Sequence, residues 1–254
     1  MTNQDFLDLN GRTILVTGAT SGIGRETAIL ASRHGARIAM VARRKDALED
    51  VTALLEGGGH LTVPYDLTDT EGIPALVRGI ADQLGGLDGL VHAAGAHSTM
   101  PLRNVNTAAV RDLFALNVTT AFMLAKGLRQ KQVRKISSSI VFLSSAVGLV
   151  GQPGVSVYSA TKGAIVSMTK SLALELAREG IRVNAVCPGV VNTAMTRGLK
   201  DTIGQDSFQT VTDAHPLGIG EPADVANAIL FLLSPASRWM TGSALTVDGG
   251  YTAQ

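Results

Sequence analysis

The sequence predicts a single α/β domain in which about seven parallel strands form a doubly wound sheet with helices on both faces. Seven short runs are rich in Val, Ile and Leu without alternating polar residues, a pattern typical of strands covered on both faces. Helix-length stretches separate most of these runs, and strands that alternate with helices form parallel sheets with right-handed crossovers. The 254 residues contain no internal repeat, low-complexity tract or interdomain linker, so we predict one domain over residues 1–254.

Apolar runs and the turn residues between them set the predicted boundaries of the elements. The predicted strands are Ile14–Thr17, Arg37–Ala42, Leu61–Asp66, Leu87–Gly95, Ser139–Ser145, Arg182–Gly189 and Ala244–Gly249. The predicted helices are Arg25–Ser32, Thr107–Lys126, Ser159–Glu179 and Pro222–Leu233. Gly35 and Gly180 follow two of these helices, as glycine often does at a helix end. The segment Ala194–Gly220 has weak periodicity, and we expect it to be a substrate loop that covers a site as a lid.

Composition excludes several classes of protein. With 22 Lys+Arg against 21 Asp+Glu, the chain lacks the positive charge with which proteins bind nucleic acid. Its apolar residues form runs much shorter than the 18 or so residues of a membrane span, and its N-terminus lacks the apolar core of a signal peptide. The single Cys187 excludes an intramolecular disulfide and fits a reducing, cytoplasmic compartment. The five His residues have no metal-binding spacing, so no metal site is predicted.

Part of the large glycine content, 28 residues, falls in one turn. Gly18, Gly22 and Gly24 lie directly between the first predicted strand and the first predicted helix. In that context the backbone N–H groups of the turn and the N-terminus of the helix favour a pyrophosphate. The turn therefore predicts a Rossmann-type site for a dinucleotide.

A second motif is the pair Tyr158 and Lys162, which share one face of a helix because they are four residues apart. By itself this spacing is common on helix surfaces. Ser145 precedes Tyr158 by 13 residues, and further motifs occur in order along the chain. These are Thr17-Gly18-x-x-x-Gly22-x-Gly24, Asn117 in Ala-Leu-Asn-Val, Pro188-Gly189 followed by Thr193, and Asp248-Gly249-Gly250. With them the sequence resembles the short-chain dehydrogenase/reductase family from about Asn10 to Tyr251.

This resemblance implies reversible hydride transfer between a nicotinamide and a carbonyl or secondary alcohol. It implies that Tyr158 is the general acid/base, with a pKa that Lys162 lowers towards 7. Ser145 would hydrogen-bond the substrate oxygen, and Asn117 would hold a water that links Lys162 to solvent. The residues implied to bind the cofactor are Thr17, Gly18, Ser21, Gly22, Ile23, Gly24, Arg43, Arg44, Asp66, Leu67, Ala93, Ala94, Gly95, Tyr158, Lys162, Pro188, Gly189, Val191 and Thr193. An equal alternative for Asp66 is that it caps the turn before Thr68.

The residues after the second predicted strand favour NADP(H) over NAD(H). Arg43, Arg44 and Lys45 follow the strand, with no carboxylate before Asp46. A carboxylate there would accept from the ribose 2′-hydroxyl of NAD, whereas guanidinium groups pair with a 2′-phosphate. The alternative is a solvated basic turn, and Ser21 gives no further support because some NADP-dependent relatives have a basic residue at that position.

The sequence departs from the family after the fourth predicted strand, where His92-Ala93-Ala94-Gly95 replaces the frequent Asn-Asn-Ala-Gly. We expect that an Asn side-chain bond that braces the sheet is lost there. His97 follows where the substrate cleft of the family begins, and Gln152 matches a position that often contacts substrate. Both are candidate substrate contacts, although His97 is also explained as a polar loop residue.

The leading hypothesis is an NADP(H)-dependent ketone reductase that takes a small carbonyl or alcohol substrate, with 3-oxoacyl thioesters as one option. For that option, a basic run at Arg129–Lys135 is either a docking site for an acidic carrier protein or a solvated helix end. One alternative is an NAD(P)-dependent dehydrogenase of a sugar, polyol or cyclic alcohol. Another is a non-catalytic nucleotide-binding regulator, but such proteins typically lose a catalytic position. The resemblance also implies a homotetramer built on the helices Thr107–Lys126 and Ser159–Glu179.

Overall fold

The computed structural model describes residues 7–197 and 204–253. Its strands are β1 (Thr13–Thr17), β2 (Arg37–Ala42), β3 (Leu61–Pro64), β4 (Leu87–His92), β5 (Arg134–Leu143), β6 (Arg182–Pro188) and β7 (Ala244–Val247). They form one parallel sheet in the order β3-β2-β1-β4-β5-β6-β7. The predicted α/β fold class is therefore confirmed, and the order reverses between β1 and β4, where such sheets open a cleft for a ligand.

Helices cover both faces of this sheet. They are α1 (Gly22–Arg33), α2 (Lys45–Thr52), α3 (Ile73–Leu84), α4 (Thr107–Phe114), α5 (Thr120–Leu128), α6 (Ser156–Leu176), α7 (Gln205–Asp213) and α8 (Pro222–Leu233). One buried cluster joins Leu90 of β4 to Leu124 of α5 and Ile165 of α6. The other joins Val91 of β4 to Ile229 of α8. Because adjacent strand residues point to opposite faces, the two clusters lie on opposite sides of the sheet.

The structure moves several predicted boundaries. The third and fourth strands end at Pro64 and His92, before the predicted Asp66 and Gly95, because the following residues leave the sheet to line a cavity. β5 begins earlier than predicted, at Arg134, which pairs with Leu87 across an irregularity in the register. The predicted substrate loop at 194–220 contains helix α7, and residues 198–203 of that loop lie outside the described residues.

The predicted helix Thr107–Lys126 is two helices joined by a wider turn at Ala115–Thr119. Among the described residues, this stretch up to Leu128 is long and apolar enough to cross a membrane, with a mean hydropathy of 1.3. Core helices of globular proteins pass the same test. Leu124 and Leu128 are fully buried against the sheet, so this stretch is only weak evidence that the chain crosses a membrane. Turns of this wider type often occur at functional sites.

The structure corrects the expectation that the sheet loses a side-chain brace after β4. The His92 ring is 2% exposed, and its Nδ1 hydrogen-bonds Thr17 Oγ1 of β1 at 2.9 Å. Thr17 Oγ1 also accepts the backbone N–H of Ala94 at 3.3 Å. The imidazole therefore links the two strands that flank the cleft. Burial, with a smaller effect of the charge on Lys162, lowers the pKa of His92 to about 3.

We expect this brace to make the fold sensitive to acid. The folded chain keeps His92 neutral down to about pH 3, whereas the unfolded chain binds a proton near the ordinary value of 6.5. Because the folded pKa is the lower one, the free energy of unfolding falls by up to about 1.4 kcal/mol per pH unit as the pH drops below 6.5. Urea denaturation of the wild type and His92→Asn between pH 7.5 and 5 measures this slope.

The substitution removes the titrating group, so the acid-side loss of stability should be smaller in His92→Asn. His60→Asn is the matched control, because His60 is only partly buried. Equal pH dependence in the wild type and His92→Asn would show that His92 does not cause the acid sensitivity.

Candidate active site

A cavity with a volume of about 1280 Å³ opens at the carboxyl ends of the strands. It extends from Arg43 and Asp66, after β2 and β3, to Ser145 and Tyr158 beside β5. All the predicted cofactor, catalytic and substrate residues line it except Thr17 and Asn117. These two are buried behind its wall and bond residues that do line it. The fold thus brings together in space residues that are far apart in the sequence.

The glycine turn after β1 approaches its neighbours too closely for any side chain. A Cβ on Gly18 would lie 2.7 Å from the backbone nitrogen of Ala94, and one on Gly24 would lie 2.5 Å from the carbonyl oxygen of Gly18. Gly18 also has a φ of 67°, which disfavours other residues. Ser21 precedes α1 in an extended conformation and makes no side-chain capping bond. Ser21 therefore leaves the first N–H groups of α1 without the usual N-cap acceptor, which fits a pyrophosphate group.

Three charged side chains that bear on the choice of cofactor line the end of the cavity beside β2 and β3, which we call the far end: Arg43, Arg44 and Asp66. Arg44 lies 4.0 Å from Asp46, whereas Arg43 makes no ion pair within the described part of the chain. Asp66 Oδ1 accepts from the backbone N–H and the hydroxyl of Thr68 at 3.0 and 2.9 Å. These bonds, and less so Arg43, lower the pKa of Asp66. Asp66 thus caps its turn and also lines the cavity, so both alternatives for it describe part of its geometry.

Tyr158 and Lys162 lie on one face of α6, next to Ser145. Burial raises the pKa of Tyr158 to about 12, and a hydrogen bond with Ser145 opposes this shift. The Nζ of Lys162 donates to the carbonyl oxygen of Leu143 at 2.9 Å and lies 5.6 Å from the centre of the Tyr158 ring. Burial lowers the pKa of Lys162 to about 8. The phenol is therefore protonated at neutral pH and does not reach the expected value near 7, because burial raises its pKa while the Lys162 ammonium is directed to the carbonyl oxygen of Leu143.

Asn117 lies in the wider turn between α4 and α5 and uses its whole side-chain amide. Its Oδ1 accepts the backbone N–H of Ala96 at 3.0 Å, and its Nδ2 donates to the carbonyl of Ala96 and to Thr161 Oγ1. A Cβ on Gly95 would lie 3.0 Å from Asn117 Oδ1 and 3.7 Å from Lys162 Nζ. Asn117 thus ties the loop after β4 to α6 directly beside Lys162.

The wall beyond Tyr158 is polar but uncharged. The His97 ring contacts the Tyr158 ring edge-on, with ring centres 4.7 Å apart, and burial lowers the pKa of His97 so that the ring is neutral at pH 7. The hydroxyl of Thr99 is buried without a partner within residues 7–197 and 204–253. Gln152 lines the same cavity. The charged side chains among the described lining residues are Lys162 and the three at the far end, Arg43, Arg44 and Asp66.

His215 is a lining residue that the sequence did not single out. It follows α7, is 4% exposed, and hydrogen-bonds the backbone at Val190 and Val211. Its neighbour in space, Tyr251, stacks on it with ring centres 4.7 Å apart. No motif in the sequence signals this role, because the partner at Val190 is 25 residues away. Among the described residues, no group of three or more His, Cys, Asp or Glu could hold a metal ion.

Comparisons with known proteins cover nearly the whole chain. A family model described as Enoyl-(Acyl carrier protein) reductase matches residues 18–252. The chain is 32% identical to a 3-oxoacyl-(acyl-carrier-protein) reductase from Vibrio cholerae over 96% of this chain and 98% of that protein. It is 36% identical to galactitol 2-dehydrogenase (L-tagatose-forming) from Cereibacter sphaeroides over 96% of both chains. A solved short-chain type dehydrogenase/reductase from Mycobacterium marinum is 32% identical over 98% of this chain and 99% of its own, with a TM-score of 0.89.

Proposed function

The chain belongs to the short-chain dehydrogenase/reductase family, and from this premise we propose that it transfers a hydride between NADP(H) and a ketone or secondary alcohol. Membership makes it an oxidoreductase that uses a nicotinamide cofactor and acts on alcohol or ketone substrates. One observation carries the finer proposal. Tyr158, Ser145 and Lys162 converge at one end of a cavity whose other end holds Arg43, which makes no ion pair among the described residues.

The residues of the cavity fit a dinucleotide along its length. The glycine turn and the N-terminus of α1 would hold the pyrophosphate, since Gly18, Ser21, Gly22 and Gly24 line the cavity where the helix begins. Arg43 would pair with a 2′-phosphate, and Asp66 would border the adenine. Gly95, Gly189 and Thr193 would border the nicotinamide at the other end. Bound there, the nicotinamide supplies or accepts the hydride.

The chain itself supplies the proton and the positioning. In the direction of reduction, the protonated phenol of Tyr158 donates its proton to the substrate oxygen as negative charge develops on it. The hydroxyl of Ser145, which hydrogen-bonds Tyr158, holds the same oxygen in place. The ammonium of Lys162 stabilises the phenolate that remains, and Asn117 fixes the backbone beside Lys162. With a pKa of about 12, Tyr158 holds its proton throughout the physiological range and has it available for the substrate oxygen.

We expect the rate of ketone reduction to depend on the charge of Lys162. The pKa of Lys162 is about 8, so kcat/KM should be constant below that pH and fall about tenfold per unit above it as the ammonium loses its proton. In Lys162→Arg the fall should move to higher pH, because a guanidinium stays charged. The measurement is kcat/KM from pH 6 to 10 for both proteins. A falling limb at the same pH in both would mean that Lys162 does not set it.

An uncharged polyol or cyclic alcohol is the second candidate substrate class. His97, Thr99 and Gln152 offer uncharged hydrogen-bonding groups on the substrate wall, which suits a substrate with more than one hydroxyl. The basic run is not beside this cavity. Arg129 and Arg134 pair with Glu179, and Lys135 pairs with Asp88, at the amino ends of β4 and β5. Because these charges already have acidic partners, the pairing favours a structural helix end over a carrier docking site.

Consumption of NADPH or reduction of NADP⁺ with a matched set of substrates tests both candidates. The set contains a 3-oxoacyl thioester, a simple cyclic ketone, a cyclic diol, a hexitol and a cyclic alcohol that carries a carboxylate. We expect turnover of uncharged alcohols or ketones and the weakest turnover of the carboxylate. Turnover confined to the thioester would exclude the polyol candidate, and tight NADPH binding without any turnover would support the non-catalytic regulator.

The predicted cytoplasmic homotetramer stays a prediction. Phe122 of α5 is 43% exposed and Leu174 of α6 is 80% exposed. These are the two helices through which association is expected, and exposed apolar side chains of this size often mark contacts between subunits.

A further inference from the structure

His215 connects helix α7 to the loop that follows β6. The backbone N–H of Val190 donates to His215 Nε2 at 3.1 Å, and His215 Nδ1 lies 2.7 Å from the carbonyl oxygen of Val211 in α7. A carbonyl oxygen only accepts, so Nδ1 carries the proton and Nε2 presents its lone pair to Val190. The ring is therefore neutral, and both of its nitrogens are used.

The loop that His215 holds borders the reactive end of the cavity. Gly189 packs so closely that a Cβ there would lie 2.8 Å from His215 Nε2. Val191 is bridged to Gly220, and a Cβ on Gly22 would lie 3.1 Å from Thr193, over the glycine turn. A dinucleotide whose pyrophosphate lies on that turn extends from β2 towards β6 across the switch in strand order. Residues 188–193 therefore border its nicotinamide half, on the opposite side from Arg43.

We infer that His215 is a positioning residue that fixes the 188–191 loop against the nicotinamide half of the cofactor and couples it to α7. The inference rests on the proposed function. His215 acts through the backbone of Val190, and the stacked Tyr251 ring keeps the imidazole in the plane that this bond requires. The neutral state matters, because an imidazolium has no lone pair to accept from Val190.

Two titratable groups face the ring from the C-terminal segment, Tyr251 and Asp248. The Asp248 carboxylate already accepts from the backbone N–H groups of Gly250 and Thr252 and from the Thr252 hydroxyl. It therefore orders the segment that carries Tyr251 while adding negative charge near His215.

Two ligands separate positioning from a general structural role. NADPH spans the whole cavity, whereas adenosine 2′,5′-bisphosphate contains only the half near Arg43. His215→Phe preserves the ring stacked on Tyr251 but removes both hydrogen bonds. Loss of a hydrogen bond of ordinary strength should weaken NADPH binding about tenfold in this variant, while the affinity for adenosine 2′,5′-bisphosphate stays within about twofold, as measured by calorimetry.

His215→Gln places an amide oxygen where it can accept from Val190, so its affinity for NADPH should lie between those of the wild type and His215→Phe. If His215→Phe does not fold, the comparison of NADPH affinity between His215→Gln and the wild type tests the inference instead. His60→Phe is the matched control, because His60 likewise bonds two backbone groups, at Ile38 and Glu56, away from the cavity. It should bind both ligands as the wild type does.

Equal weakening of both ligands in His215→Phe, or unchanged NADPH affinity in that variant, would overturn the inference; where His215→Phe does not fold, unchanged NADPH affinity in His215→Gln would do so. A wild-type chain that binds neither ligand would instead overturn the proposed function. A wild-type chain that binds both, with His215 variants that lose neither, would leave the proposed function standing without this role for His215.

Discussion

Tyr158→Phe should lower kcat for ketone reduction by about 10²–10⁴-fold, the range for the loss of a general acid. The substitution removes only the hydroxyl that donates the proton and the bond to Ser145. The ring stays in place, because its packing against His97 and its position above Lys162 do not depend on the hydroxyl. The KM for the ketone should change much less than kcat, since most of the interaction develops in the transition state.

Binding of NADPH is the control for this experiment. Tyr158→Phe should bind NADPH within a few-fold of the wild type, which separates loss of the proton donor from loss of the fold or of the cofactor. Turnover within about fivefold of the wild type would assign the proton to another group. A large loss of NADPH affinity would mean that the hydroxyl acts in binding.

Arg43→Glu should raise the KM for NADPH by about 10–100-fold and leave the KM for NADH unchanged or lower. A hydrogen bond to a charged group contributes about 1.5–3 kcal/mol, and the new carboxylate also repels a 2′-phosphate. Arg43 is the appropriate target because, within the described residues, it makes no ion pair, whereas Arg44 lies near Asp46. The measurement is kcat/KM for each cofactor with one ketone.

Lys45→Glu is the matched control, since it makes the same change of charge in the same turn. Lys45 pairs with Glu49 at 3.6 Å and does not line the cavity. Its cofactor preference should therefore stay close to that of the wild type. Equal effects of the two substitutions would indicate a general electrostatic field, and a wild type that prefers NADH would contradict the proposed choice of cofactor.

The fold could be predicted because buried parallel strands have a strong local signature. Runs such as Arg37–Ala42 coincide with their strands, and Pro222–Leu233 coincides with its helix. The ends of the strands were harder to predict, because Asp66 and Gly95 directly follow apolar runs but line the cavity instead of pairing in the sheet. Helix α7 escaped prediction since it has no buried residue, so no apolar stripe marks it.

The residues of the site, like the elements of the fold, could be predicted only in part. Motif spacing placed Ser145, Tyr158 and Lys162 together, and the structure brings them to one end of the cavity. Spacing does not report burial, so the pKa of about 12 for Tyr158 could not be foreseen. The link from His92 to Thr17 and that from His215 to Val190 each join residues far apart in the chain. Such contacts depend on the packing of whole elements, which no local pattern encodes.

Transfer of deuterium tests the central claim most directly. The wild-type chain is incubated with a ketone from the matched set and NADPH that carries two deuterium atoms at C4 of the nicotinamide. The account predicts that each product alcohol carries one deuterium on the former carbonyl carbon, while the hydroxyl proton comes from Tyr158 and exchanges with water. NADPH oxidation with no deuterium in the product, or neither oxidation of NADPH with any ketone nor reduction of NADP⁺ with any alcohol in the set, would contradict it.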